Sequence, residues 1–197
     1  MSIEQKVDPS RRRLLITTAA IGGVGAAVAL VPFVSSMLPS ARARAAGAPV
    51  EADISKLEPG QMMVVEWRGK PVWILNRTPE MLATLPKLNG AVADPNSEKD
   101  QQPANCQNEH RSIKENIWVA IGICTHLGCS PSSKFAEGAS QGMPSDWLGG
   151  FLCPCHGSTF DLAGRVFKDK PAPTNLEIPP HAYLSDTRLI IGESKGA

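Results

Sequence analysis

The sequence predicts a mostly β domain carried on one N-terminal membrane-spanning helix. Three observations predict it. Seventeen prolines and seventeen glycines in 197 residues favour a loop-rich β domain over a helical bundle. Short apolar runs bounded by turn residues recur from Gln61 onward. Residues Leu14–Leu38 carry no charge over 25 positions. The formal net charge of +1 gives no support for nucleic-acid binding.

The N-terminal elements come first. A helix over Leu14–Leu38 would be about 37 Å long, against a hydrocarbon core of about 30 Å. Gly22, Gly23, Gly25 and Pro32 weaken a soluble helix but are tolerated in a span. Lys6 and Arg11–Arg13 precede the run, which favours a cytoplasmic N-terminus, and Arg42 and Arg44 follow it. The Ser10-Arg11-Arg12 stretch and the apolar residues behind it also fit a twin-arginine export signal, a route for proteins that are already folded. The apolar run exceeds the roughly 7–15 residues of a cleaved signal core, so retention as an anchor is expected, although "ARARAAGAP" offers small residues at A-x-A spacing. Residues 1–13 are then the N-terminus, 14–38 the anchor and 39–49 a flexible hinge. The hinge's alanines can also form helix.

Residues 50–197 form the head. "QMMVVEW" and "KPVWILN" read as two strands around Arg68-Gly69. "TPEMLATLPKL" reads as a short helix with Thr78 as N-cap and Pro79 at its first position. Residues 94–115 are polar and loop-like. "NIWVAIGI" is a buried strand running into a cysteine block, and "LEIPP" and "RLIIG" close the domain as short strands. Trp67, Trp73, Trp118 and Trp147 are expected in the core or at its edge, and His181 at the surface.

Two blocks concentrate the chemistry. "CTHLGC" (Cys124–Cys129) and "CPCHGS" (Cys153–Ser158) hold four of the five cysteines and two of the four histidines. Taken as Cys124-x-His126 and Cys153-x-x-His156, two thiolates and two imidazoles can bind a [2Fe–2S] cluster, cysteines on one iron and histidines on the other. Such a cluster is neutral when oxidised, whereas an all-cysteine cluster carries two negative charges, so it accepts an electron more readily. Cys129 and Cys155 remain, each within a few residues of a ligand; a bridge between them would tie the two loops together in an oxidising compartment. Spacing alone also permits a structural zinc site built from four of the six. Cys106 and His110, at Cys-x3-His spacing in the polar loop, read as incidental.

The paired blocks resemble the Rieske iron–sulfur protein of the cytochrome bc1 complex (ubiquinol–cytochrome c reductase), and the order of anchor, hinge, head and blocks matches over nearly the whole chain. The resemblance implies a Rieske fold of stacked antiparallel sheets with an inserted cluster-binding part at about 118–173. It makes Cys124, His126, Cys153 and His156 the ligands and Cys129–Cys155 a disulfide. It has Leu127 shield the cluster, the Ser158 hydroxyl bond a bridging sulfide, and the "KPAP" loop (Lys170–Pro173) cover a third side. Lys170 stands where the family has Gly, and Phe160 where many members have a Tyr that bonds a ligand sulfur. The loss of that donor should lower the potential.

The resemblance further implies an enzyme subunit of the respiratory chain. It takes an electron from ubiquinol, with His156 and His126 accepting the quinol hydrogen bond and proton, and passes the electron to cytochrome c1. Its partners would be cytochrome b and cytochrome c1 in a dimeric complex. Its place would be the bacterial inner membrane, with a single pass and the head on the periplasmic side. Rieske modules also serve dioxygenases, which usually lack the two extra cysteines. The small subunit of arsenite oxidase, which can share the export signal and disulfide, is the main alternative.

Overall fold

The computed structural model describes residues 8–194; the expectations for residues 1–7 lie outside them. Two compact units divide near Ala45 and Ala46. The first is dominated by α1 (Pro9–Ser36), one helix long and apolar enough to cross a membrane. Asp8 caps it by accepting the Ser10 N–H at 2.9 Å, so the three arginines lie in its first turns, and it ends two residues before Leu38. Thr17, Thr18, Ser35 and Ser36 each donate their hydroxyl to a carbonyl three or four residues back. That leaves no hydroxyl proton unmet in lipid. The tether is not uniformly extended: Ala41–Ala46 forms α2, with the Ala43 N–H on Ser40 Oγ.

The head consists of three small antiparallel sheets. Its elements, in order, are β1 (Val50–Asp53), β2 (Met62–Trp67), β3 (Lys70–Asn76), α3 (Pro79–Thr84), β4 (Ile117–Ile121), β5 (Ser132–Lys134), β6 (Gly150–Leu152), β7 (Thr159–Phe160), β8 (His181–Ser185) and β9 (Arg188–Ile191). One sheet runs β1-β9-β8, a second β2-β3-β4 and the third β5-β6-β7. The first two enclose an apolar core built from Ile54, Val72, Ile74, Val119, Leu189 and Ile191. The other face of β3 and β4 presents Trp73, Leu75, Trp118 and Ala120 to the third sheet. The alternation follows from the two-residue period of a strand buried on both faces. Residues 118–121, at the start of the expected cluster-binding part, belong to β4.

The hairpin at Arg68-Gly69 and the Thr78 cap stand as expected; Thr78 accepts the Met81 N–H. The α-helix stops at Thr84, and Pro86 opens a separate single turn, because proline lacks the N–H and crowds the preceding turn. "LEIPP" is not a strand. Glu177 O and the Ile178 N–H each make one bond, to the Ile121 N–H and Gln101 O, and Pro179-Pro180 offers no further donors. His181 is not a surface residue: it is 1% exposed, starts β8, and its Nδ1 lies 2.8 Å from Pro179 O. All four tryptophans are buried.

Candidate metal centre

β4 and β6 each end in a six-residue loop, and the two loops share one hydrogen-bond pattern. In the first, the Cys124 N–H donates to Cys129 O at 2.7 Å and the Gly128 N–H to Cys124 O at 3.1 Å. In the second, the Cys153 N–H donates to Ser158 O at 2.8 Å and the Gly157 N–H to Cys153 O at 3.0 Å. Gly128 and Gly157 both take positive φ, +85° and +74°, a conformation that a side chain disfavours. The fifth residue of each block is glycine for that reason. The pattern places Cys124 and Cys153 at equivalent, buried positions, and makes Cys129 and Ser158 equivalent at the loop ends.

The two inner cysteines face each other. Burial is the main cause that raises the Cys124 thiol above its ordinary value; the His126 N–H and the Ser158 hydroxyl oppose it, and the neighbouring Cys153 adds to it. The His126 and His156 rings meet edge to face, with centroids 4.6 Å apart. His126 Nδ1 is buried without a hydrogen-bond partner. An orphaned imidazole nitrogen beside two buried thiols is what a bound metal would satisfy, because a ligand nitrogen needs its lone pair free. His156 lies exposed at the rim and Leu127 is 71% exposed at the tip.

Cys129 and Cys155 form a disulfide that ties the loops together. Their sulfurs lie within 4.8 Å of each other and of the Cys153 sulfur, a cluster that resembles a three-thiolate site. The bridge removes two of those three as ligands. Two thiols and two imidazoles remain, a set that either tetrahedral zinc or a two-iron cluster accepts.

An aromatic core and one loop hold this set. Behind it, Phe151 stacks on Trp73 at 4.9 Å and packs against Trp118 and Phe135, in the same apolar core as Cys124, Cys153 and Phe160. On one side, the loop Lys170–Pro173 rests on Ser158: the Ala172 N–H donates to Ser158 Oγ at 3.0 Å, leaving the hydroxyl proton for a sulfur. Lys170 does not disturb that turn, because the preceding residue, Asp169, takes the positive φ of +58°. The same segment also holds the first block: Thr125 Oγ1 donates to Thr174 O at 2.7 Å.

Comparison with known proteins decides between zinc and iron. Residues 49–180 match the family model for the Rieske [2Fe-2S] domain. The chain belongs to the Rieske iron–sulfur family. Its resident cofactor is a Rieske-type [2Fe–2S] cluster. Residues 1–40 match a second model, described as the ubiquitinol-cytochrome C reductase Fe-S subunit TAT signal. Similar proteins include the ubiquinol-cytochrome c reductase iron-sulfur subunit of Allochromatium vinosum, 62% identical over 98% of this chain and 93% of that one. The proteins of the same name from Bradyrhizobium diazoefficiens and Rhodospirillum rubrum are 43% and 40% identical, over 93% and 94% of this chain and 95% and 93% of theirs. A chain of a hyperthermophilic respiratory Complex III is similar in structure, with TM-score 0.48 and 30% identity over 88% of this chain and 97% of that one. This Rieske chain is thus similar, from its N-terminal segment through its head, to subunits of quinol-oxidising reductases.

The remaining candidates fall away from the site. Cys106 is fully buried and burial pushes its thiol up to about 11; it lies outside the group of cysteine sulfurs that approach one another. His110 Nε2 faces Glu115 at 3.6 Å. Sequence reasoning passed over three fully buried arginines, Arg77, Arg111 and Arg165, and the buried Asp161. The one signal was the i, i+4 spacing of Asp161 and Arg165, now a buried pair at 2.7 Å.

Proposed function

We propose that this chain is the electron-carrying subunit of a cytochrome bc1 complex, taking one electron from ubiquinol and passing it to cytochrome c1. One observation carries the assignment of the site. Two loops of matching geometry, locked by Cys129–Cys155, bury two thiols and set two imidazoles beside them, one with an orphaned Nδ1. Cys124 and Cys153 would hold one iron, and His126 and His156 the other. When bound, the [2Fe–2S] cluster supplies a one-electron acceptor whose histidine ligands raise its potential above that of an all-cysteine cluster.

The chain's own groups do the rest. Cys124 and Cys153 are shut off from water by Phe151, Phe160 and the proline loop. Ser158, held by the Ala172 N–H, directs its proton to the sulfur side. Nδ1 of His126 turns inward, so Nε2 is the nitrogen left to face a substrate. With the exposed ring of His156 it accepts the hydrogen bond from the quinol hydroxyl and takes its proton. Leu127 covers the rim and offers an apolar tip to a partner. Cytochrome b and cytochrome c1 are the partners in this reading, within a dimeric complex. The match of residues 1–40 to an export signal supports a head on the periplasmic side of the inner membrane, held by α1. The 62% identity to a named ubiquinol-cytochrome c reductase subunit favours this reading over the small subunit of arsenite oxidase.

Electron paramagnetic resonance of the reduced protein tests the ligand set. A low average g value marks mixed histidine and cysteine ligation. His126→Cys or His156→Cys should abolish that signature, and a wild-type spectrum of the all-cysteine type would overturn the assignment.

A further inference from the structure

Three guanidinium groups are sealed inside the head, and two of them have no carboxylate on them. Arg165 is paired: its Nε meets Asp161 Oδ2 at 2.7 Å. Arg77 is 2% exposed, and its donors go to Glu115 O, His110 O, Leu162 O and the Ser112 hydroxyl. Arg111 is 0% exposed, and its donors go to Ala163 O, Gly164 O, Leu176 O and Gln102 Oε1, while its Nε has no partner. Neutral oxygens hold both cations. The buried carboxylates among the described residues are Asp161 and Asp94, two against three cations. Burial lowers both arginines, to about 9 for Arg77 and about 10 for Arg111, with Asp161 opposing the shift at both, Asp94 at Arg111 and Glu115 at Arg77, so both stay charged at neutral pH.

These cations lie beside the metal centre's supports. Leu162, Ala163 and Leu176, whose carbonyls they hold, pack in the same apolar core as Cys124 and Cys153. Leu176 is two residues beyond Thr174, whose carbonyl takes the hydroxyl of Thr125, between two of the proposed ligands. Two residues span at most about 7 Å of backbone. Arg111, Leu176 and Cys124 are buried along this path, while Thr174 is half-buried and Gln102 and Thr125, also half-buried, line an open pocket, so solvent screens the field only in part. A fixed positive charge favours whichever redox state is more negative, and reduction adds one negative charge to the site.

We propose that Arg77 and Arg111 are potential-setting residues: buried cations that the nearby carboxylates compensate only in part, leaving a net positive charge that biases the cluster toward its reduced state. Their field acts in the direction that the missing hydroxyl at Phe160 does not. The proposal rests on the ligand set given above. At an effective dielectric near 20, a tenfold shift in a one-electron equilibrium corresponds to one unit charge at about 12 Å.

The test neutralises the charge without removing the guanidinium. Gln102→Glu places a carboxylate where Gln102 Oε1 now accepts from Arg111 Nη2 at 3.0 Å; it gives up the amide's two donations to Ser97 O and Lys99 O. Arg111→Gln deletes the charge, and Arg111→Lys keeps it while losing the fork. Each variant is made in the full chain in membranes, and the reduced signal is followed by electron paramagnetic resonance during a redox titration. Gln102→Glu and Arg111→Gln should lower the reduction equilibrium constant several-fold or more, equally at low and high salt, with the spectrum unchanged. Arg111→Lys should titrate close to wild type. Wild-type potentials in Gln102→Glu and Arg111→Gln with intact spectra would overturn the proposal, as would Arg111→Lys falling as far as Arg111→Gln. If Arg111→Gln assembles no cluster, Gln102→Glu decides; loss of the cluster there too would mean a structural clasp only. Failure of the ligand set is distinct, because it appears as the wrong spectrum in the wild type.

Discussion

Phe160 is fully buried in β7, in the core that also holds Cys124 and Cys153. On the proposed ligand set, a hydroxyl added there would reach toward a ligand sulfur that gains electron density on reduction. Phe160→Tyr should therefore raise the midpoint potential by tens of millivolts, since about 59 mV is a tenfold change for one electron and one bond to a partly charged acceptor is of that order. Protein-film voltammetry checks it, and no shift or a downward one would refute the geometry. His181 gives a second prediction of this kind. Burial lowers its folded-state pKa below the usual 6.5, although the bond to Pro179 O opposes this. The unfolded chain then binds the proton that the folded chain refuses, so stability falls as pH drops below about 6.5 and levels off below the folded pKa. Thermal unfolding at pH 7.5 and 5 should show a larger acid loss in wild type than in His181→Asn; equal losses would remove His181 as the cause.

At the scale of the element, the two cluster loops are short, exposed at their tips, and joined by one covalent bond. Neither Cys129 nor Cys155 is needed to complete four ligands. Cys129→Ser or Cys155→Ser should leave ligation possible but loosen the pairing of the loops, so the cluster is lost faster and its potential falls. Iron content after purification, followed over time, measures this; wild-type retention in both variants would make the bridge dispensable. The proline loop shows how an element absorbs an unusual residue. Lys170 replaces the expected glycine, yet the loop keeps its contact with Ser158 because Asp169 supplies the left-handed turn.

Across the whole molecule, an anchor and a head are joined by a tether that contains α2. Six residues span about 9 Å as helix and roughly 20 Å when extended. A tether in which α2 melted and re-formed would suit a head that serves a quinol site and a cytochrome in turn. Prolines at Ala43 and Ala45 forbid the helix. They should slow cytochrome reduction in stopped-flow measurements while leaving the cluster's spectrum and potential unchanged. Wild-type rates would mean that the helical form of the tether is not used.

Much of this was legible before any coordinates. A charge-free run of 25 residues can only be stable buried in lipid or in a large core, so the anchor is a property of the sequence itself. The ligand types and their spacing sit inside two six-residue blocks, where chain connectivity alone brings Cys124 near His126 and Cys153 near His156. Thr78 and Pro79 start α3 through contacts three residues away. What tertiary structure decided are pairings between residues far apart in the chain. The Cys129–Cys155 bridge spans 26 positions, and the Ala172 N–H finds Ser158 across 14. His181 looked exposed because it follows two prolines; the β1-β9-β8 sheet buries it. The buried arginines were invisible for the same reason. A guanidinium in a sequence reads as surface, and only the carbonyls of Glu115, Leu162, Ala163 and Leu176, gathered by the fold from up to 85 residues away, make its burial affordable.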